Sequence, residues 1–182
     1  MQKIAVFKKL LLAKKGFTLI ELLIVIAVLG VLAAVVLVAI DPAQQLARGR
    51  DSGRKTSIGQ LGRSLQAYYT SNQGYPTAIQ WTTAPNILVT FGEIKLFPSN
   101  PAYIAGTACT TNMYPASNGF CYNIGTVAGT PESVIYARME SKSENSKCAV
   151  GPAWFAWSSA NGRAGVVCGA AEPIAAVLVF EP

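Results

Sequence analysis

Phe17 to Ile40 is an unbroken apolar stretch of 24 residues whose one charged member is Glu21. As a helix rising ~1.5 Å per residue it is about 36 Å long. That length crosses a bilayer hydrocarbon of roughly 30 Å. A carboxylate inside such a span is costly and calls for a partner or a function. A short lysine-bearing leader and Gly16 precede the stretch, and a mixed-polarity chain follows it.

The formal charge of +6 misleads until the chain is divided. Lys3, Lys8, Lys9, Lys14 and Lys15 all precede Phe17; from Phe17 onward ten bases face nine acids, a net +1. That balance does not point to nucleic acid as a partner. Nor does the leader read as an ordinary secretory signal, in which the apolar stretch lies before the cut and is discarded. Here the apolar stretch follows the small-residue break. The alternative, a conventional cut near Val31-Leu32-Ala33, would release a soluble domain. Orientation is nearly balanced, because Arg48, Arg50, Arg54 and Lys55 follow the helix closely and bases near span ends set topology.

Lys15-Gly16-Phe17-Thr18-Leu19-Ile20-Glu21 resembles the cleavage and methylation signature of the type IV prepilins and of the pseudopilins of type II secretion. Leu22 to Ala33 continues like that family's assembly helix, and a weaker likeness reaches Tyr75-Pro76-Thr77. The resemblance implies a pilin-like α+β fold, in which a long N-terminal helix with a membrane-spanning first half packs on a C-terminal antiparallel sheet. It implies a cut between Gly16 and Phe17 by a prepilin peptidase that also methylates the new N-terminus. It implies assembly with identical or related subunits, served by an inner-membrane platform and an assembly ATPase, with membrane lipid around the helix beforehand. By the same resemblance the leader is cytoplasmic and the C-terminal domain lies outside. The expected divisions are 1–16 leader, 17–41 transmembrane and assembly helix, 42–74 amphipathic helix, and 75–182 exported β-rich domain.

Proline is tolerated poorly inside helices, so Asp41-Pro42 predicts a kink at the membrane edge. The helical pattern resumes from Ala43 to Asn72, where Ile58, Leu61, Leu65 and Tyr68 recur at steps of three and four. Asp51 and Lys55, four apart, are expected to pair on the opposite face. Gly49, Gly53, Gly59 and Gly62 each cost on the order of 1 kcal/mol against alanine. They mark either close packing or a segment that melts on assembly. Asn72 to Pro76 stops the helix. Leu88–Phe91 and Glu93–Phe97 read as short strands or a helical turn. Strands are expected over Phe120–Ile124, Ser133–Met139, Ala153–Trp157 and Arg163–Val167, with a hairpin turn at Ser159–Gly162 and a further strand at Ile174–Phe180.

Glu21 has two readings. With Thr18 it fits a capping box at a helix start. In the reading we favour, its carboxylate meets the α-amino group of Phe17 on a neighbouring subunit and sets axial register. Gly16 lets extended backbone enter a protease, and Phe17 supplies the amine for methylation, the methyl group being implied by the resemblance alone. The basic run Arg48, Arg50, Arg54, Lys55 and Arg63 reads as a solvated face or as residues at lipid headgroups.

Cys109, Cys121, Cys148 and Cys168 are even in number and fall in the part expected to be exported, where disulfides persist. Of three connectivities, Cys109–Cys121 with Cys148–Cys168 is preferred because each closes a short loop. There is no histidine and no CxxC pair, so no metal site, cofactor or catalytic group is expected. Tyr122, Tyr136, Trp154, Phe155 and Trp157 read as sheet core. A surface pilus subunit is preferred over a secretion pseudopilin because no late acid cluster suited to calcium occurs. A helix-anchored adhesin that never polymerises is the third reading.

Overall fold

The computed structural model describes residues 16–99, 103, 108–116 and 118–181. The expected leader therefore lies outside the described residues as far as Lys15. The chain divides into two compact units, one ending at Asp41 and the other beginning at Pro42.

In the first unit, helix α1 spans Leu19–Ile40, and none of its residues is buried. Leucine, isoleucine, valine and alanine cover every face, the pattern of a helix meant for an apolar surround. It is long and apolar enough to cross a membrane. Asp41 closes it in the left-handed region at φ 44°, a backbone conformation that Asp tolerates better than most residues.

The second unit opens with α2, Pro42–Asn72. Its proline occupies the first helical position, where a missing N–H costs nothing. One stripe of α2 is buried, carrying Ile58, Leu61, Leu65 and Tyr68. Short helices α3 (Ala78–Thr82) and α4 (Ile87–Thr90) follow. Thr77 caps α3 in a box with Gln80, and the Asn86 side chain accepts the Leu88 amide to start α4.

Strands β1 (Cys121–Val127), β2 (Thr130–Arg138), β3 (Ala153–Ser158) and β4 (Arg163–Cys168) form one antiparallel sheet in that order. A four-residue helix, α5 (Lys142–Asn145), lies in the β2–β3 connection. Strand alternation sorts the side chains cleanly. Tyr122, Ile135, Ala137, Trp157 and Val166 face α2 in the larger core. Cys121, Val134, Tyr136, Trp154 and Ala156 face the other way, into a second core.

The arrangement is α+β, as the pattern predicts, with three departures in detail. The β1–β2 hairpin is longer than read, because its two-residue turn is Ala128-Gly129, both at positive φ, and that pair is a weak turn signal beside Asn-Gly. Leu88–Phe91 takes the helical-turn reading, in α4 and its cap, whereas Glu93–Phe97 forms neither strand nor helix. Ile174–Phe180 is not a strand either. It is an extended strap that makes a single bridge, Glu181 to Val166. Its polar groups go elsewhere: Leu178 exchanges backbone bonds with the Asn161 side chain at 2.9 and 3.0 Å, and Ser158 donates to the Ala176 carbonyl at 3.4 Å. Gly165 admits Phe180, whose ring would lie 2.6 Å from an added Cβ. Glu172 anchors the strap's start by accepting from Thr110, Thr111 and the Tyr136 hydroxyl.

Candidate functional site

The residues expected to be processed sit at the head of α1. Phe17 is 90% exposed, and nothing lies within 4 Å of where a Cβ on Gly16 would stand. An exposed backbone is what a protease cleft must be able to grip. Thr18 caps the helix, and its hydroxyl accepts the Glu21 amide at 3.2 Å. The Glu21 carboxylate in return accepts both the Thr18 amide and the Thr18 hydroxyl, each at 2.8 Å. The capping reading of Thr18-x-x-Glu21 thus describes the uncleaved chain, and it holds the carboxylate one residue from Phe17. It leaves unexplained why a charged residue, rather than glutamine, stands inside a membrane-length helix.

The basic run divides. Arg48 and Arg63 are exposed, but Arg50, Arg54 and Lys55 are consumed by the β2–β3 connection. Arg54 is fully buried; its Nη1 lies 2.9 Å from Asp51 and its Nη2 2.5 Å from Glu140. Arg50 donates through Nε and Nη2 to the other Glu140 oxygen at 2.9 and 2.6 Å. Asp51 accepts the amides of Glu140 and Ser141. Lys55 pairs with Glu144 at 2.6 Å. The expected Asp51–Lys55 pair therefore does not form. Asp51 turns inward to cap the connection, and Lys55 reaches Glu144 instead. The guanidinium of Arg54 also lies 3.9 Å over the Tyr103 ring. Sequence reasoning missed this cluster because its halves lie 86 to 90 residues apart. The only local signal was a polar Asp51 three residues before Arg54.

Of the helical glycines, packing explains Gly62. An added Cβ there would come within 2.5 Å of the Trp157 ring, whereas at Gly49 nothing lies within 4 Å. Helix α2 is continuous through all four glycine positions.

The four cysteines are joined as Cys109–Cys121 and Cys148–Cys168. The first bond is buried in the second core, and the second ties the end of β4 to the loop after α5. Beside the first, burial pushes the Tyr136 hydroxyl upward and Glu172 adds to that effect. For Glu172 itself, burial raises the carboxyl, but bonds from Tyr136, Thr111 and Thr110 outweigh it and hold it below 4.5. Among the described residues, no three His, Cys, Asp or Glu side chains gather as metal ligands would.

Residues 11–37 match the model of the prokaryotic N-terminal methylation motif. No solved structure matches the chain. The matched span covers Gly16, Phe17, Glu21 and most of α1, so the head of this chain carries the N-terminal methylation signature of the type IV prepilins and pseudopilins.

Proposed function

We propose that the protein is a structural subunit of a type IV pilus-like filament, used for adhesion, motility or DNA uptake. The observation that carries this reading is α1: 22 residues apolar on every face and wholly unburied, opened by the methylation motif and interrupted by one acid. Such a helix is built to exchange one apolar surround for another, lipid first and neighbouring helices afterwards. A prepilin peptidase cuts between Gly16 and Phe17 and methylates the Phe17 amine. The amine then pairs with Glu21 of the adjoining subunit, two charges that are costly apart in low dielectric and tolerable together. The platform and assembly ATPase draw the helix from the cytoplasmic membrane, and the domain from Pro42 onward faces outward on a surface or envelope filament.

The secretion pseudopilin remains the competing role, and the methylation motif serves both. Intact mass of protein sheared from the cell surface tests the proposal. A chain starting at N-methyl-Phe17 in high-molecular-weight fibres supports it. A start near Ala34, or an intact leader, overturns it.

A further inference from the structure

The strap from Ile174 to Glu181 is held to the sheet at few points. The Glu181 amide donates to the Val166 carbonyl at 2.8 Å. The Phe180 ring fills the space that Gly165 leaves open, with the Arg163 guanidinium 4.7 Å from its centre. Ser158 reaches the Ala176 carbonyl at 3.4 Å. Ile174, Val177 and Val179 stay exposed, and the four strands form their ladders without the strap. A segment with so few backbone bonds opens locally at lower free energy than the sheet it lies on.

The central clasp of the strap is the Asn161 side chain. It accepts the Leu178 amide at 2.9 Å and donates to the Leu178 carbonyl at 3.0 Å. Asn161 is followed by Gly162 in the β3–β4 turn. Asparagine is among the thermolabile residues, because the backbone nitrogen of the next residue can displace its side-chain amide. Glycine in that next place puts no side chain in the way. With the strap closed, both reacting groups are engaged. Leu178 clasps the carboxamide, and the Gly162 N–H donates to the Ser159 carbonyl at 3.1 Å. The restraint on Gly162 is one bond in a turn where Gly162 is exposed. The restraint on Asn161 is the strap.

We propose that Asn161–Gly162 is a covalent modification site gated by the strap, deamidating when the strap opens and hindering its return. Once Leu178 lets go, the Gly162 nitrogen forms a bond to Cγ of Asn161. The side-chain nitrogen leaves as ammonia, taking up through solvent the proton that Gly162 loses. Water then opens the resulting succinimide to aspartate or isoaspartate, and no other co-reactant is needed. The new carboxylate still accepts from the Leu178 N–H. Ionised, it has no proton for the Leu178 carbonyl and repels that oxygen instead. Isoaspartate also routes the main chain through the side-chain carbons and so lengthens the turn. The step uses neither α1 nor a neighbouring subunit, so it stands apart from the filament reading.

The test follows deamidation by peptide mass spectrometry in the full detergent-solubilised chain, held in mildly alkaline buffer. Phe180→Ala loosens the strap and leaves Asn161 and Gly162 in place. Asn118–Gly119, which packs against the Tyr114–Pro115 backbone, is an internal control. Deamidation at Asn161 is expected to be severalfold faster in Phe180→Ala than in the parent, with Asn118 unchanged. Asn161→Asp, one of the two products, is expected to speed amide exchange at Leu178 and Glu181 severalfold. Should Phe180→Ala not fold, Ser158→Ala, which removes the bond to Ala176, replaces it under the same criteria. Equal rates at Asn161 in parent and variant overturn the gate, as does an equal acceleration at Asn118, which would mean general unfolding. Unchanged exchange in Asn161→Asp overturns the hindered return.

Discussion

Arg54 and Glu140 meet 2.5 Å apart with their side chains 0% and 8% exposed, joining α2 to the connection that leaves β2. Buried pairs add little net stability compared with an apolar substitute, yet removing one partner strands the other. Arg50 also reaches Glu140, so the two losses are unequal. Arg54→Met should destabilise by about 3–5 kcal/mol because Asp51 loses its cation as well. Arg50→Met should cost less, since it leaves Glu140 paired. Thermal unfolding of the detergent-solubilised chain checks the ranking; equal losses would mean the cluster is not organised around Arg54.

The glycines of α2 give opposite expectations for one chemical change. At Gly62 a methyl group meets the Trp157 ring at 2.5 Å. Either the ring or the helix must move, and overpacking of this kind costs about 1–3 kcal/mol. At Gly49 there is open space, so alanine should stabilise by up to about 1 kcal/mol through helix propensity. Unfolding midpoints of the two variants should move in opposite directions. A stabilised Gly49→Ala that still failed to form filaments would point to a need for local melting there.

How much of this was legible beforehand follows from the range of each interaction. The stripe Ile58, Leu61, Leu65, Tyr68 is written at helical spacing, and the strands around Tyr136 and Trp157 alternate, so helix and sheet were readable from neighbours alone. The Thr18–Glu21 box was equally local. What could not be read depended on distant partners. Lys55 chose Glu144 over Asp51 because the β2–β3 connection brings Glu144 to α2. The segment Ile174–Phe180 has strand-like composition, yet Asn161 and Ser158 bind its backbone across the sheet face and it does not join a ladder. Short helices such as α3 and α5 span only five and four residues, which carry too little periodicity to announce them.

Glu172 makes the strap sensitive to acid. Its folded carboxyl is held below the ordinary carboxylate range because, although burial raises it, the bonds from Tyr136, Thr111 and Thr110 outweigh that. A lowered folded value means stability that is fully present above the unfolded value and lost as pH falls through the folded one. The strap's contribution should therefore persist above about 4.5 and weaken below it. Glu172→Gln should flatten that part of the profile while destabilising the protein at neutral pH. Thermal midpoints of both proteins from neutral to acid conditions check it; parallel profiles would show that other carboxylates carry the acid sensitivity.

Glu21→Gln separates the two roles of the carboxylate at the head of α1. Glutamine at the third helical position completes a capping box with Thr18 as glutamate does, so the helix start is retained. The charge that would meet the Phe17 amine of a neighbour is removed. If assembly depends on that pairing, Glu21→Gln should be cut and methylated like the parent and remain in the membrane, but yield few or no sheared fibres. Glu21→Ala, which loses cap and charge together, should behave no better. Normal fibres from Glu21→Gln with a defect confined to Glu21→Ala would instead assign the residue to capping and leave filament register to α1 packing alone.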